Sequence, residues 1–140
     1  MAAEKSFSVL GEQIEILVGG ETSGGKSVTF TELVPPGGGP PPHSHQHEDE
    51  TFFVLEGEFE FTENGRTVER RVGESFHAER GAVHAFRNSG EKNGKLLIFV
   101  APAGIDRFFE DISVLEMPRD VPKLMDIGAR YGITFQLPGA

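Results

Sequence analysis

Apolar and polar residues alternate with a period of two through most of the first hundred positions, the pattern of half-buried strands. Ile14, Ile16 and Val18 share one face of a predicted strand over residues 13–18, which Gly19-Gly20 ends. Over residues 27–34, Val28, Phe30 and Glu32 fall on one face and Thr29, Thr31 and Leu33 on the other, and Pro35-Pro36-Gly37 stops the strand. Residues 51–55 break the alternation, because Phe52 and Val54 on one face and Phe53 and Leu55 on the other are all apolar. A sheet with one solvated face alternates, so both faces here are expected to be covered. A second sheet would cover one; a partner subunit or the chain's own terminal segment would cover the other. Phe59 and Phe61 share a face of the next strand, and Asn64-Gly65 predicts a tight hairpin before Val68. A short strand over 76–78 follows the turn at Gly73. The segment 84–88 carries His84, Phe86 and Asn88 on one face, and KLLIFVA at 95–101 is a continuous apolar run of the buried-strand type.

The period changes after Pro102. Ile105, Phe108, Phe109 and Ile112 recur at helical spacing. A second helix is framed by Asp120 as N-cap, Pro122 in its first turn and Gly132 as its stop, with Leu124, Ile127 and Tyr131 along one face. Residues 133–137 read as a last short strand or an extended tail. Eight or more short strands with closely spaced turns predict an all-β barrel or double-sheet jelly roll. The expected organisation is one domain over 1–140, with a barrel at about 13–102 and a helical cap at 103–132 closing one end. Phe108 and Phe109 are expected in the core, or in a helical lid over the barrel mouth.

Composition narrows the function. With 12 Phe, one Tyr and no Trp among 140 residues, phenylalanine must supply nearly all aromatic packing. The absence of cysteine excludes disulfides and thiolate ligands and fits a reducing, cytoplasmic setting. A net charge of −9 argues against nucleic acid, whose phosphates it would repel. The start, MAAEKSFSVL, has an early Glu and no apolar run, so no secretory signal is expected there. Nothing approaches the ~20 apolar residues that a membrane-spanning helix needs.

The chemistry concentrates in GGGPPPHSHQHEDETFFVLEG, residues 37–57. His43 and His45 lie two apart, so on a strand they face the same way. Neutral imidazole nitrogen suits Zn, Cu, Fe and Ni. Glu50 is five residues after His45 and can join the pair only if the chain turns within Gln46-His47-Glu48-Asp49 and Glu50 opens the next strand. His84 follows a turn marked by Gly81. His43, His45, Glu50 and His84 thus form a coherent set of three nitrogens and one oxygen for one divalent transition metal. If the metal is octahedral, about two positions stay open, as in catalytic rather than structural sites. The set does not choose among Fe, Mn, Ni, Co, Cu and Zn. His47, in the turn, is a substitute ligand; His77 is expected at the surface or behind the ligands, and Arg87 facing away from His84.

These residues resemble the two motifs of the cupins. The first motif is met by Gly37, His43, His45, Glu50 and Gly57. The second is met by Gly73, Gly81, His84 and Asn88, with Glu79 where the family has proline; a proline there would fix φ. The resemblance implies the cupin double-stranded β-helix, a jelly-roll barrel with short C-terminal helices and a metal inside near one mouth. GGGPPPH, EDETFFVLEG and FFEDI…IGARYGI further resemble the quercetinase-like group. That resemblance implies a dioxygenase acting on an aromatic or enol small molecule, with Glu50 as both ligand and base. A non-catalytic small-molecule or metal-binding cupin, and a metal-dependent isomerase or decarboxylase, stay open. The expected substrate pocket is Phe30, Phe52, Val54, Phe86 and Phe108, with Phe59 or Phe61 beside them. Such an interior suits a flat or apolar substrate better than a sugar phosphate, which would call for Arg or Lys. The expected partners are that small molecule and a second copy of the chain.

Overall fold

The period-two segments become strands and the 3.6-period segments become helices. The computed structural model describes residues 2–137. In chain order the elements are β1 (Lys5–Val9), β2 (Glu12–Val18), β3 (Val28–Val34), β4 (His43–His45), β5 (Asp49–Glu56), β6 (Glu58–Glu63), β7 (Arg66–Arg71), β8 (Ser75–Ala78), β9 (His84–Asn88), β10 (Gly94–Ala101), α1 (Ile105–Ile112), α2 (Val121–Arg130) and β11 (Ile133–Phe135). The strands form two antiparallel sheets, ordered β1-β2-β3-β10-β5-β8 and β11-β4-β9-β6-β7. This is the expected two-sheet jelly roll.

Inward positions of the first sheet repeat as interior rows across three strands. Val28 pairs with Val100 and Val100 with Glu50; Phe30 pairs with Ile98 and Ile98 with Phe52; Glu32 pairs with Leu96 and Leu96 with Val54. Opposite them, Phe59, Phe61 and Phe86 project from the second sheet, all buried. At one end the aromatic rings close on each other: Phe61 stacks on Phe76 at 4.8 Å and lies 5.2 Å from Phe52. The Asn64-Gly65 hairpin forms as expected, with positive φ at both residues. Gly57 has φ +86°, and a side chain there would come within 2.9 Å of Gly94 Cα, so the β5–β6 crossing needs glycine.

Helix α1 buries Ile105, Phe108, Phe109 and Ile112, the four residues its periodicity singled out. Helix α2 buries Leu124 and Gly128, while Ile127 and Tyr131 are half-buried. Gly128 is small because a Cβ would meet the Ile133 carbonyl at 2.9 Å. Asp120 precedes α2 but makes no side-chain cap. Its carboxylate instead accepts from the Glu116 backbone N–H at 2.9 Å and pairs with Arg119, bracing the loop before the helix. Pro122 already removes one of the amides such a cap would serve.

Strand β1 lies ahead of the expected barrel start. KSFSV offers only Phe7 and Val9 as apolar positions, and it pairs at a sheet edge with β2 alone. The outer face of the first sheet is open: Leu33, Phe53, Leu55 and Phe99 are each near 42% exposed. Of the two covers expected for β5, the terminal segments among the described residues do not supply the outer one, since β1 extends the same sheet and β11 joins the other.

Candidate metal centre

Three imidazoles come from the second sheet and the carboxylate from the first. Extended backbone in β4 turns His43 and His45 inward together, and His43 pairs directly with His84 of β9. The turn after His45 carries the chain to the other sheet, where Glu50 points inward on β5, buried beside Val100. The crossing resolves the odd spacing between His45 and Glu50. Strand β11 clamps β4 from outside, pairing Ile133 with His45 and Phe135 with His43.

One ligand-capable atom from each of His43, His45, Glu50 and His84 lies within 4.8 Å of all the others, and all four residues are buried. Glu50 Oε1 is 3.1 Å from His84 Nε2 and 3.4 Å from His45 Nε2. Backbone carbonyls orient the outer nitrogens: His43 Nδ1 lies 3.0 Å from the Pro41 oxygen and His84 Nδ1 lies 3.3 Å from that of Ala82. With Nδ1–H donating in each, both Nε2 lone pairs face the centre, the usual arrangement behind a metal-bound imidazole. The proline lead-in thus presents His43 through a carbonyl as well as through its stiffness.

Electrostatics favour a cation here. Burial and the neighbouring His84 and His45 push His43 down to about 3, so its ring is neutral and free to ligate. Burial lowers His45 as well. Burial alone would raise Glu50, but the His84 hydrogen bond and the three imidazoles outweigh it and hold the carboxyl near 2, ionised. His84 is raised against its burial by the same Glu50 contact. Both ring nitrogens of His45 are buried without a hydrogen-bond partner. A buried polar atom left unpaired is costly, and a metal at the centre would satisfy Nε2. The residues therefore fit one divalent transition metal, held by His43, His45, Glu50 and His84.

Residues around the two motifs serve the scaffold. Gly37 N–H donates to the Asn88 carbonyl at 2.9 Å, and Asn88 N–H donates to Gly38 at 2.9 Å, tying the two motifs together. The Asn88 amide also donates to Val34 and Lys92 carbonyls. Gly39, at φ +146°, passes so close to β9 that a Cβ would sit 1.9 Å from the Phe86 oxygen. Glu79 has a use that the family's proline lacks: its N–H donates to Glu63 Oε2 at 3.1 Å. Gly81 N–H donates to the His45 carbonyl, joining the second turn to the first ligand strand.

The centre opens on a cavity of about 340 Å³ beneath α1 and α2. Phe30, Phe86 and Phe108 line it, together with His43, His45 and Glu50. Phe52 and Val54 do not line it, nor do Phe59 and Phe61. They face inward as alternation requires but lie at the closed end, where Phe52 packs 6.1 Å from the His84 ring. Phe109, Ile112, Leu124 and Phe135 take their place in the lining. These are residues of the C-terminal elements, whose docking alternation does not reveal. His47 is exposed and outside the cluster, and His77 is exposed and bonded to Thr51 at 2.8 Å. Arg87 faces out and pairs with Glu60. Two cavity residues went unrecognised, Glu12 and Glu32. So did Glu48, buried 3.9 Å behind His45 Nδ1, which only its position three residues after a ligand could have indicated.

A β jelly roll with an inward His-His-Glu-His cluster defines the cupin class, and the chain belongs to it: the cupin domain model matches residues 30–100. The oxalate-binding protein of Thermotoga maritima is 28% identical over 85 residues, covering 60% of this chain and 70% of that one. A double-stranded β-helix protein of Klebsiella pneumoniae superposes with a TM-score of 0.57 at 27% identity, over 64% of this chain and 76% of that one. The polyketide cyclase RemF of Streptomyces resistomycificus does so with a TM-score of 0.60 at 26% identity, over 71% and 74%. No helix among the described residues is long and apolar enough to cross a membrane.

Proposed function

We propose that this cupin is a metal-dependent dioxygenase for an aromatic, enol-bearing small molecule. One observation carries the reading: the four-ligand centre opens on an apolar, phenylalanine-lined cavity rather than on solvent or a basic cleft. A bound transition metal would supply a Lewis acid for an enolate oxygen. The chain's own residues do the rest. Phe30, Phe86, Phe108 and Phe109 hold a flat ring system and exclude water. Glu50, ionised and beside the open side of the centre, takes the enol proton.

The test is dioxygen uptake with a flavonol, on protein loaded in turn with Fe, Mn, Ni, Co, Cu and Zn. Uptake with at least one metal is expected. Saturable binding without turnover under every metal would replace the reading with a non-catalytic binding cupin, the reading favoured by the relative named for binding oxalate. Isomerisation or decarboxylation without dioxygen would move it to another cupin reaction.

The open face of Leu33, Phe53, Leu55 and Phe99 is proposed to pack on a second copy of the chain. Four large apolar side chains exposed on one sheet face are the kind of surface that a partner covers. Phe53→Glu should shift the sedimenting species from dimer to monomer while leaving the fold intact; a wild-type monomer would refute it.

A further inference from the structure

The cavity holds a second polar feature that the four ligands do not use. Glu12 and Glu32 both line it, each 9% exposed. They sit on adjacent strands, because Ile14 pairs with Glu32 and Glu12 lies two residues from Ile14 on the same face. Glu32 belongs to the interior row of Leu96 and Val54, two rows along the sheet from Glu50, with the row of Phe30 between. No lysine or arginine lines the cavity, and neither carboxyl has an ion-pair partner among the described residues. The titratable groups facing the pair are Glu50 from β5 and His43 and His45 from β4; the helices present only apolar side chains.

Two adjacent carboxyls with no cation cannot both ionise cheaply. Burial first, then the hydrogen bond and charge of Glu12, then the charge of Glu50, hold the Glu32 carboxyl well above its ordinary range. Burial beside Glu12 thus favours the neutral, hydrogen-bonding form of Glu32. The carboxyl oxygens of the pair offer acceptor capacity toward the cavity that both residues line. A small dianion would meet carboxyls and phenylalanine there, with no guanidinium or ammonium to receive it.

We propose that Glu12 and Glu32 form a second polar anchor, which accepts a hydrogen bond from a neutral hydroxyl on an aromatic ligand whose other end reaches the metal ligands, and which disfavours small dicarboxylates. This rests on the cavity being the substrate site.

Zinc-loaded protein, which is redox-inert, separates binding from turnover. The probes are 3-hydroxyflavone and a flavonol with additional ring hydroxyls, titrated by absorbance or fluorescence, with oxalate as competitor. Wild-type protein should bind the ring-hydroxylated flavonol about tenfold more tightly than 3-hydroxyflavone, the worth of one good hydrogen bond in a buried site. Glu12→Leu and Glu32→Leu should erase that preference, and Glu32→Gln, a neutral mimic, should keep it. Oxalate should compete poorly. Infrared spectra supply a readout without ligand: a protonated-carboxyl stretch present in wild type and lost in Glu32→Gln. The inference is overturned by an unchanged preference in the leucine variants, tighter binding of an ammonium-bearing analogue, effective competition by oxalate, absence of the infrared band, or failure of wild type to bind either flavonol. Selective binding without dioxygen uptake would remove the dioxygenase reading and leave this one standing.

Discussion

The barrel interior has two ends built from the same residue type, and they do different work. At the closed end Phe52, Phe59, Phe61 and Phe76 fill the space with their own rings, 4.8–6.3 Å apart. At the open end Phe30, Phe108, Phe109 and Phe135 also touch one another, with Phe30 edge-on to Phe109 at 5.1 Å, yet they wall a cavity. Both ends are inward-facing in the period-two pattern, so hydrophobicity does not distinguish them. The covering element does. Strands β6, β8 and β9 bring rings directly against Phe52 of β5, whereas residues of α1 and α2 line the cavity at the other end. The His-His-Glu-His cluster sits on the boundary: His84 packs toward Phe52 on one side, and His43 stacks 5.6 Å from Phe135 on the other. Rigid packing behind the ligands and open volume in front are what a preorganised binding centre requires.

The largest effect that sharpens this contrast lies on the boundary itself. Glu50→Gln keeps the shape but removes the negative ligand and proton acceptor, so turnover should fall by about 10²–10⁴. Flavonol affinity should change far less. Steady-state dioxygen uptake beside a binding titration reads both, and full turnover in the variant would refute the base assignment.

Next comes the packing difference. Phe61→Ala at the closed end should cost about 3–5 kcal/mol in urea denaturation, because its neighbours cannot collapse into the gap. Phe108→Ala should cost clearly less, since one side of that ring already faces open volume and makes fewer contacts to lose. Its effect should appear instead as weaker flavonol binding. Equal destabilisation by the two would mean that the ends do not differ in packing.

This contrast also shows what the amino-acid pattern could and could not convey. The clustering of His43, His45, Glu50 and His84 was legible because HxH on a strand, a carboxylate after a turn and a His after a glycine turn leave few geometric choices. The strands were legible wherever one face is buried, and β1 escaped because KSFSV has too few apolar positions. The helix α1 face was legible from its spacing. The division of phenylalanines into wall and core was not, since Phe30 and Phe52 occupy one interior row through Ile98 and are equivalent by alternation. Only the docking of α1 and β11, contacts distant in sequence, makes one of them a wall. Glu32 was visible on the inward face beside Val28 and Phe30. Its meaning depends on Glu12, twenty positions away and brought alongside by the β2–β3 pairing.

The smallest effect concerns that pair, and its sign is opposite to the usual behaviour of a paired carboxylate. Glu32 is raised in the folded protein relative to an ordinary value of 4.5, with burial the main cause. Between the unfolded and folded values the native state binds more protons than the unfolded chain. Stability from this group is therefore complete below about pH 4.5 and is lost as pH rises through the folded value. Glu32→Gln cannot titrate, so it should lack this decline and melt a few degrees above wild type at alkaline pH, the two converging under acid conditions. Comparing the variants at each pH cancels the metal ligands, which both share. Thermal melts across the range decide it: a constant offset would mean that Glu32 is ionised in the folded state, with some cation supplied to the cavity. A gap that opens with pH would mark Glu32 as a residue kept at the expense of stability, as expected of a group that serves a ligand rather than the fold.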